Sequence, residues 1–353
     1  MHDHKRALAL LRQGIVIPAT PLAITKDRTF DSKTQRLLMR YYLACGVGGV
    51  ATAVHSTQFA IRNPEYMLFE PVIRLVSEEI DTYEEKTGSC VVKICGACGP
   101  VEQAVNEAGL AKSLGFDAVL LSPGGLDHLS ESEMVERTKE VAGVLPVIGF
   151  YLQEAVGGRV FSYEYWKSLA EIPNLIAIKC ASFNRYTTLE VMRAVASSSR
   201  SAKITMYTGN DDNIVSDLLT VYEFNTPHGL IRKGFEGGLL GHWCVWAKSA
   251  VELLDSIKEA KKTKTIPSEL LSLGASITDM NAAVFDPKHN FAGCIPGIHE
   301  VLRRQGLFQN RLCLDKDEVL SKGQIEELDR VIATYPNLVD DNFIHENLAS
   351  WMQ

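Results

Sequence analysis

With 353 residues, the chain is long enough for one large α/β barrel or two ordinary domains, and a hydrophobic share of 46% can fill a sizeable core. A formal charge of −7 argues against a polyanion-binding protein, and the short basic run Lys261-Lys262-Thr263-Lys264 reads as a solvated helix end. No apolar run reaches bilayer length, residues 7–11 are too short for a signal peptide, and eight cysteines do not make a disulfide scaffold in a chain of this size. The expectation is a cytoplasmic protein with reduced thiols and no nucleic-acid or membrane partner.

Short apolar runs recur along the chain, and turn residues bound them. They cover residues 14–21, 48–54, 90–95, 117–123, 146–151, 175–180, 203–209 and, less sharply, 235–241. Continuous apolar runs of this length read as strands buried on both faces. Helical patterns lie between them. Asp31-Ser32 can cap a helix running to Cys45, and Ser130 can cap one over 131–144 with Glu133 in its first turn. Residues 101–115 show apolar spacing at Val105, Ala108, Leu110-Ala111 and Leu114, with Gly115 as the stop. Residues 163–172 and 187–196 continue the alternation, and residues 225–229 read as a loop insertion between the last two units.

Eight strand–helix units predict an α/β protein, a (β/α)8 TIM barrel over residues 1–246, with an appended helical region over 247–353. A doubly wound sheet gives a similar alternation and is the alternative. In a barrel, chemistry belongs at the C-terminal ends of the strands.

The run Leu175-Ile176-Ala177-Ile178-Lys179-Cys180 ends in one lysine. Burial disfavours the charged form of an amine, lowers its pKa and frees it as a nucleophile. An ion-paired or snorkelling lysine is the plainer reading. Lys93 competes for the nucleophile's role, but its strand continues through Ile94-Cys95, and a structural role fits it better. Tyr151 falls at a strand end, where a phenol can move protons or simply tie the rim to backbone. Cys95-Gly96-Ala97-Cys98 lacks the second pair that a zinc site needs, and Gly46-Val47-Gly48-Gly49 precedes its strand, the wrong order for a dinucleotide fingerprint.

The order and spacing of several segments resemble the dihydrodipicolinate synthase / N-acetylneuraminate lyase family. These are Ala19-Thr20-Pro21, Gly46 to Val50, Leu114 to Ala118 with Ser122-Pro123, Tyr151 to Lys179, Gly209-Asn210-Asp211, and Phe285-Asp286 with Asn290. The resemblance covers most of the chain. It implies a homo-oligomeric barrel, often a tetramer. It also implies a Schiff base between Lys179 and a 2-oxo acid, usually pyruvate, with no other cofactor and no metal. Tyr151 matches the family's proton-relaying tyrosine. Ser56 and Thr57 match its paired hydroxyls, with His55 beside them. Gly209 and Leu239 match positions lining the keto-acid site. His242, directly after the eighth strand, is a further candidate for substrate binding, and Gln58, His128, Asn210 and Asp211 are other polar groups that could select the second substrate.

The chain departs from the synthases at three places. Gly124-Gly125 stands where they carry a second tyrosine. Val156 stands at the carboxylate-binding arginine, with Arg159 nearby. Gln58-Phe59 replaces Gly-Glu. The expected function is therefore a Schiff-base lyase or aldolase, cleaving a hydroxylated or aromatic 2-oxo acid to pyruvate and an aldehyde, and not dihydrodipicolinate synthesis. A dehydratase or condensing synthase on the same lysine, or a keto-acid-binding homologue without turnover, is the alternative.

Overall fold

The computed structural model describes residues 2–263 and 265–353, so Lys264 of the basic run lies outside the described residues. Among the described residues there are nine strands: β1 (Val16–Pro18), β2 (Gly49–Thr52), β3 (Val92–Ala97), β4 (Ala118–Leu121), β5 (Val147–Leu152), β6 (Leu175–Ala181), β7 (Thr205–Thr208), β8 (Val221–Thr226) and β9 (Gly229–Leu240). The sheet runs β1-β9-β7-β6-β5-β4-β3-β2, and every neighbouring pair on that path is parallel. An Ala19–Ala51 bridge, with Thr20 N–H donating to the Ala51 carbonyl at 2.8 Å, brings β1 beside β2. Eight parallel strands thus form a nearly closed (β/α)8 barrel. Helices on its outside cover the second face of each strand, which is why those strands carry unbroken apolar runs.

The helix starts follow the local chemistry. Asp31 accepts the Thr34 N–H ahead of the helix Ser32–Cys45, and Gly46 ends that helix in the left-handed region. Ser130 and Glu133 form a reciprocal capping box at the helix Glu131–Ala142.

Residues 225–229 are not a loop insertion. They are the turn of a hairpin in which β8 pairs antiparallel with the first half of β9, and the second half of β9 is the eighth barrel strand. The alternation Val221-Tyr222-Glu223-Phe224 puts Tyr222 and Phe224 on one face, their rings nearly parallel at 6.3 Å. That period of two is the signal for the hairpin.

Both ends of the barrel are covered. The helix His4–Arg12 lies across the N-terminal end, where the Tyr207 hydroxyl donates to the Leu11 carbonyl at 2.6 Å. The helices Ala247–Thr263, Ser268–Phe285, Cys294–Arg304, Gln324–Thr334 and Asp341–Trp351 follow β9. They share one continuous core with the barrel, and Tyr41 anchors them by donating to Asp340 at 2.6 Å. No helix among the described residues is long and apolar enough to cross a membrane.

Candidate active site

Phe150, Lys179 and Tyr207 are register partners on β5, β6 and β7, so their side chains share one face of the sheet. That face is the barrel interior. Lys179 is 8% exposed, and its Nζ lies 4.5 Å from the centre of the Phe150 ring. Both residues line a cavity at the C-terminal end of the barrel. Its polar wall includes His55, Ser56, Lys179 and Asp211; Val54, Leu152, Phe183, Phe285, Phe291 and Ile298 make much of the rest. Lys179 forms no ion pair among the described residues. Burial pushes its pKa down, and the nearby Asp211 carboxylate only partly opposes this.

Gly209 creates the room this side chain occupies. A Cβ there would stand 2.5 Å from Lys179 Cε and 2.8 Å from Ala181 Cβ. Asp211, two residues on, is also buried, and one carboxylate oxygen accepts the His242 N–H at 2.7 Å. Burial raises its pKa well above the ordinary carboxylate range, against the opposing effects of that hydrogen bond and of Lys179. His55 is held neutral: burial, and then the Lys179 charge, push it down to about 4.

Several predicted site residues stand elsewhere. Tyr151 is not in the cavity. Its register partners are Cys180 and Thr208, on the outer face of the barrel, and its ring stacks on Trp166 of the helix Tyr163–Ala170 at 5.2 Å. The aromatic residue at the lysine is Phe150, which has no proton to give. Leu239 is buried but does not line the cavity; Gly241 does. His242 contributes its backbone N–H to Asp211, while its ring packs against Trp246 at 5.5 Å and faces a separate cavity.

The paired hydroxyls are committed to the scaffold. Ser56 lines the cavity, but its hydroxyl donates to the Ala19 carbonyl at 2.5 Å. Thr57 is fully buried and donates to the Thr20 carbonyl at 2.6 Å. Each hydroxyl has one proton to donate, so neither can offer it to a carboxylate without releasing β1. Arg159 does not turn inward. It donates to the Leu129 carbonyl at 2.7 Å and stacks over Phe161. Gln58 accepts the Leu314 N–H at 2.6 Å, Asn210 accepts the Phe183 N–H at 2.9 Å, and His128 lines a neighbouring cleft.

Sequence reasoning missed the aromatic roof. Phe183 and Phe291 meet edge to face at 5.6 Å over the cavity, and both have left-handed backbones, φ 52° and 65°. Gln58, Asp286 and Asn290 also have positive φ. For a bulky side chain it costs on the order of 1–2 kcal/mol, and such outliers gather at functional sites. The thiols of the CxxC are free, and burial raises Cys98 to about 11, which leaves it a weak nucleophile.

Residues 12–221 match the model of the Dihydrodipicolinate synthetase family. The fold superposes on dihydrodipicolinate synthase from Oceanobacillus iheyensis with a TM-score of 0.72 at 18% identity, covering 95% of this chain and 100% of that one. N-acetylneuraminate lyase from Fusobacterium nucleatum gives 0.70 at 15%, covering 93% and 99%. The lyase from Mycoplasma synoviae gives 0.64 at 15%, covering 92% and 98%. At these identities the likeness establishes the fold. No curated protein sequence matches the chain.

Proposed function

Since the chain belongs to the dihydrodipicolinate synthetase family, we propose that it is a Schiff-base lyase of the aldolase type, acting on a 2-oxo acid through Lys179. Membership supports a Schiff-base lyase or synthase in general. The observation that supports Lys179 as its nucleophile is a buried amine, without an ion pair among the described residues, facing a cavity at the C-terminal strand ends.

The neutral Lys179 amine attacks the ketone carbon. The carbonyl oxygen takes one proton from the amine nitrogen, giving a carbinolamine, and a second from an acid; it leaves as water, and an iminium remains. Electrons of the C3–C4 bond, one bond beyond the iminium carbon, then form the C2–C3 double bond of an enamine while the iminium takes up its own pair. The hydroxyl proton of the departing fragment passes to a base, and an aldehyde is released. Protonation and hydrolysis of the enamine free the pyruvate-type product and return the amine.

With Phe150 at the lysine and Tyr151 on the outer face, the proton carrier in this reading is Asp211. Its raised pKa suits both the donating and the accepting step. The neutral ring of His55 is the side chain free to donate to the acid's carboxylate, given the commitments of Ser56 and Thr57. Among the described residues, Lys179 is the one arginine or lysine lining the cavity, whose roof is aromatic, so the part of the substrate beyond the cleaved bond is apolar or aromatic and uncharged.

The test is retro-aldol product analysis on 4-hydroxy-2-oxo acids bearing an aryl or an alkyl group. Equimolar pyruvate and aldehyde, absent with Lys179→Ala, supports the lyase. Loss of water without C–C scission would replace it with a dehydratase. Phe150 favours a second reading, a keto-acid-binding protein without turnover, because the phenol expected at the imine is absent. That reading requires a trapped adduct with no product from any of these acids.

A further inference from the structure

A cluster at the opposite end of the barrel has no part in this chemistry. The ligand atoms of His2, His4 and Asp117 all lie within 4.8 Å of one another. Asp117 Oδ1 is 2.9 Å from His2 Nε2 and 2.7 Å from His4 Nδ1. We propose that His2, His4 and Asp117 form a site for one divalent transition-metal ion, zinc by preference, which fastens the N-terminal helix to the floor of the barrel.

The donor set suits such an ion: two imidazole nitrogens and one carboxylate oxygen, with a fourth position toward solvent. The Asp117 side chain is fully buried and that of His2 is 6% exposed, whereas His4 is 55% exposed, so the ion enters from the His4 side. Zinc bonds of about 2.0–2.2 Å in a tetrahedron hold their donors roughly 3.3 Å apart. The present spacing therefore opens by about half an ångström on binding.

Two ligands are held from behind. The second Asp117 oxygen accepts the Lys93 N–H at 2.8 Å and also lies 3.0 Å from His2 Nε2. His2 Nδ1 stands 2.9 Å from Glu84 Oε2, and the other Glu84 oxygen accepts the Val91 N–H at 2.8 Å. A carboxylate behind a ligating histidine fixes its tautomer and orientation. Asp117 precedes β4, at the strand end away from Lys179, which makes the site structural. A histidine–carboxylate hydrogen-bond cluster with no ion is the competing arrangement.

The test is calorimetric titration of untagged, chelator-treated protein with zinc, together with thermal unfolding. One equivalent should bind with micromolar or tighter Kd, and Tm should rise by about 3 °C or more at a hundredfold excess over Kd. His4→Ala should weaken binding about 100-fold and Glu84→Gln about 10-fold. Cobalt in the wild-type protein should give visible bands without thiolate charge transfer, a readout that needs no variant to fold. No binding in the wild type, unchanged binding in both variants, or thiolate bands with cobalt would overturn the site.

Discussion

Two lysines are buried in the barrel wall, and their surroundings are opposite. Lys93 on β3 is fully buried and points outward, where its Nζ reaches Asp81 at 2.6 Å and the Ser77 hydroxyl at 2.9 Å. Lys179 on β6 points inward, over Phe150, and forms no ion pair. A paired ammonium gains charge-assisted bonds by staying protonated. An unpaired one gains by losing its proton. Burial alone therefore does not mark a nucleophile; the absence of a carboxylate within ion-pair distance does.

If that contrast governs reactivity, Lys179→Ala should lower retro-aldol turnover by at least about 10³-fold, since no other amine among the described residues faces the cavity. Asp211→Asn should slow turnover by about 10²-fold, the usual range for a lost acid–base group. It should also shift the pH profile. Adduct formation rises with pH as the amine deprotonates and levels off at the lysine's pKa, which burial places below the ordinary value of about 10.4. Asp211 favours the ammonium, so its removal lowers that pKa further and moves the plateau to lower pH. A plateau moving to higher pH would contradict the assigned sign.

Gly209→Ala should slow imine formation roughly tenfold, by displacing the lysine stem that it would touch at 2.5 Å. Stopped-flow measurement of adduct formation tests this. Lys93→Ala should leave trapping at Lys179 unchanged and destabilise the fold by about 2 kcal/mol, read by denaturant unfolding. The cost stays moderate because Asp81 is 45% exposed and can rehydrate. The smallest effect belongs to Tyr151→Phe. Turnover should change less than twofold, because the Tyr151 ring packs on Trp166 outside the barrel interior, away from the cavity.

The two aromatic residues of β5 show where sequence reading stops. The apolar run around Lys179 carries its own evidence, a charge at the end of a strand buried on both faces. The run Ile148-Gly149-Phe150-Tyr151 is apolar on both faces too, so it contains no parity signal. A strand's period of two turns a one-residue error into the opposite side of the barrel. The register partner of Lys179 decides the matter, and it is Phe150. Ser56 and Gly209, pointed to by the family resemblance and not by a local pattern, line the cavity because a loop after β2 and a glycine after β7 are fixed by strand order. The roof residues Phe285 and Phe291 come from more than a hundred residues beyond Lys179, and no local periodicity connects them with it. The β8–β9 hairpin, by contrast, was readable from the alternation at 221–224.

The comparison of the two lysines meets its most direct test in borohydride reduction with pyruvate, followed by peptide mapping of both positions in one digest. The account predicts a reduced adduct on Lys179 and none on Lys93. An adduct on Lys93, or none on Lys179 at saturating pyruvate, would contradict it.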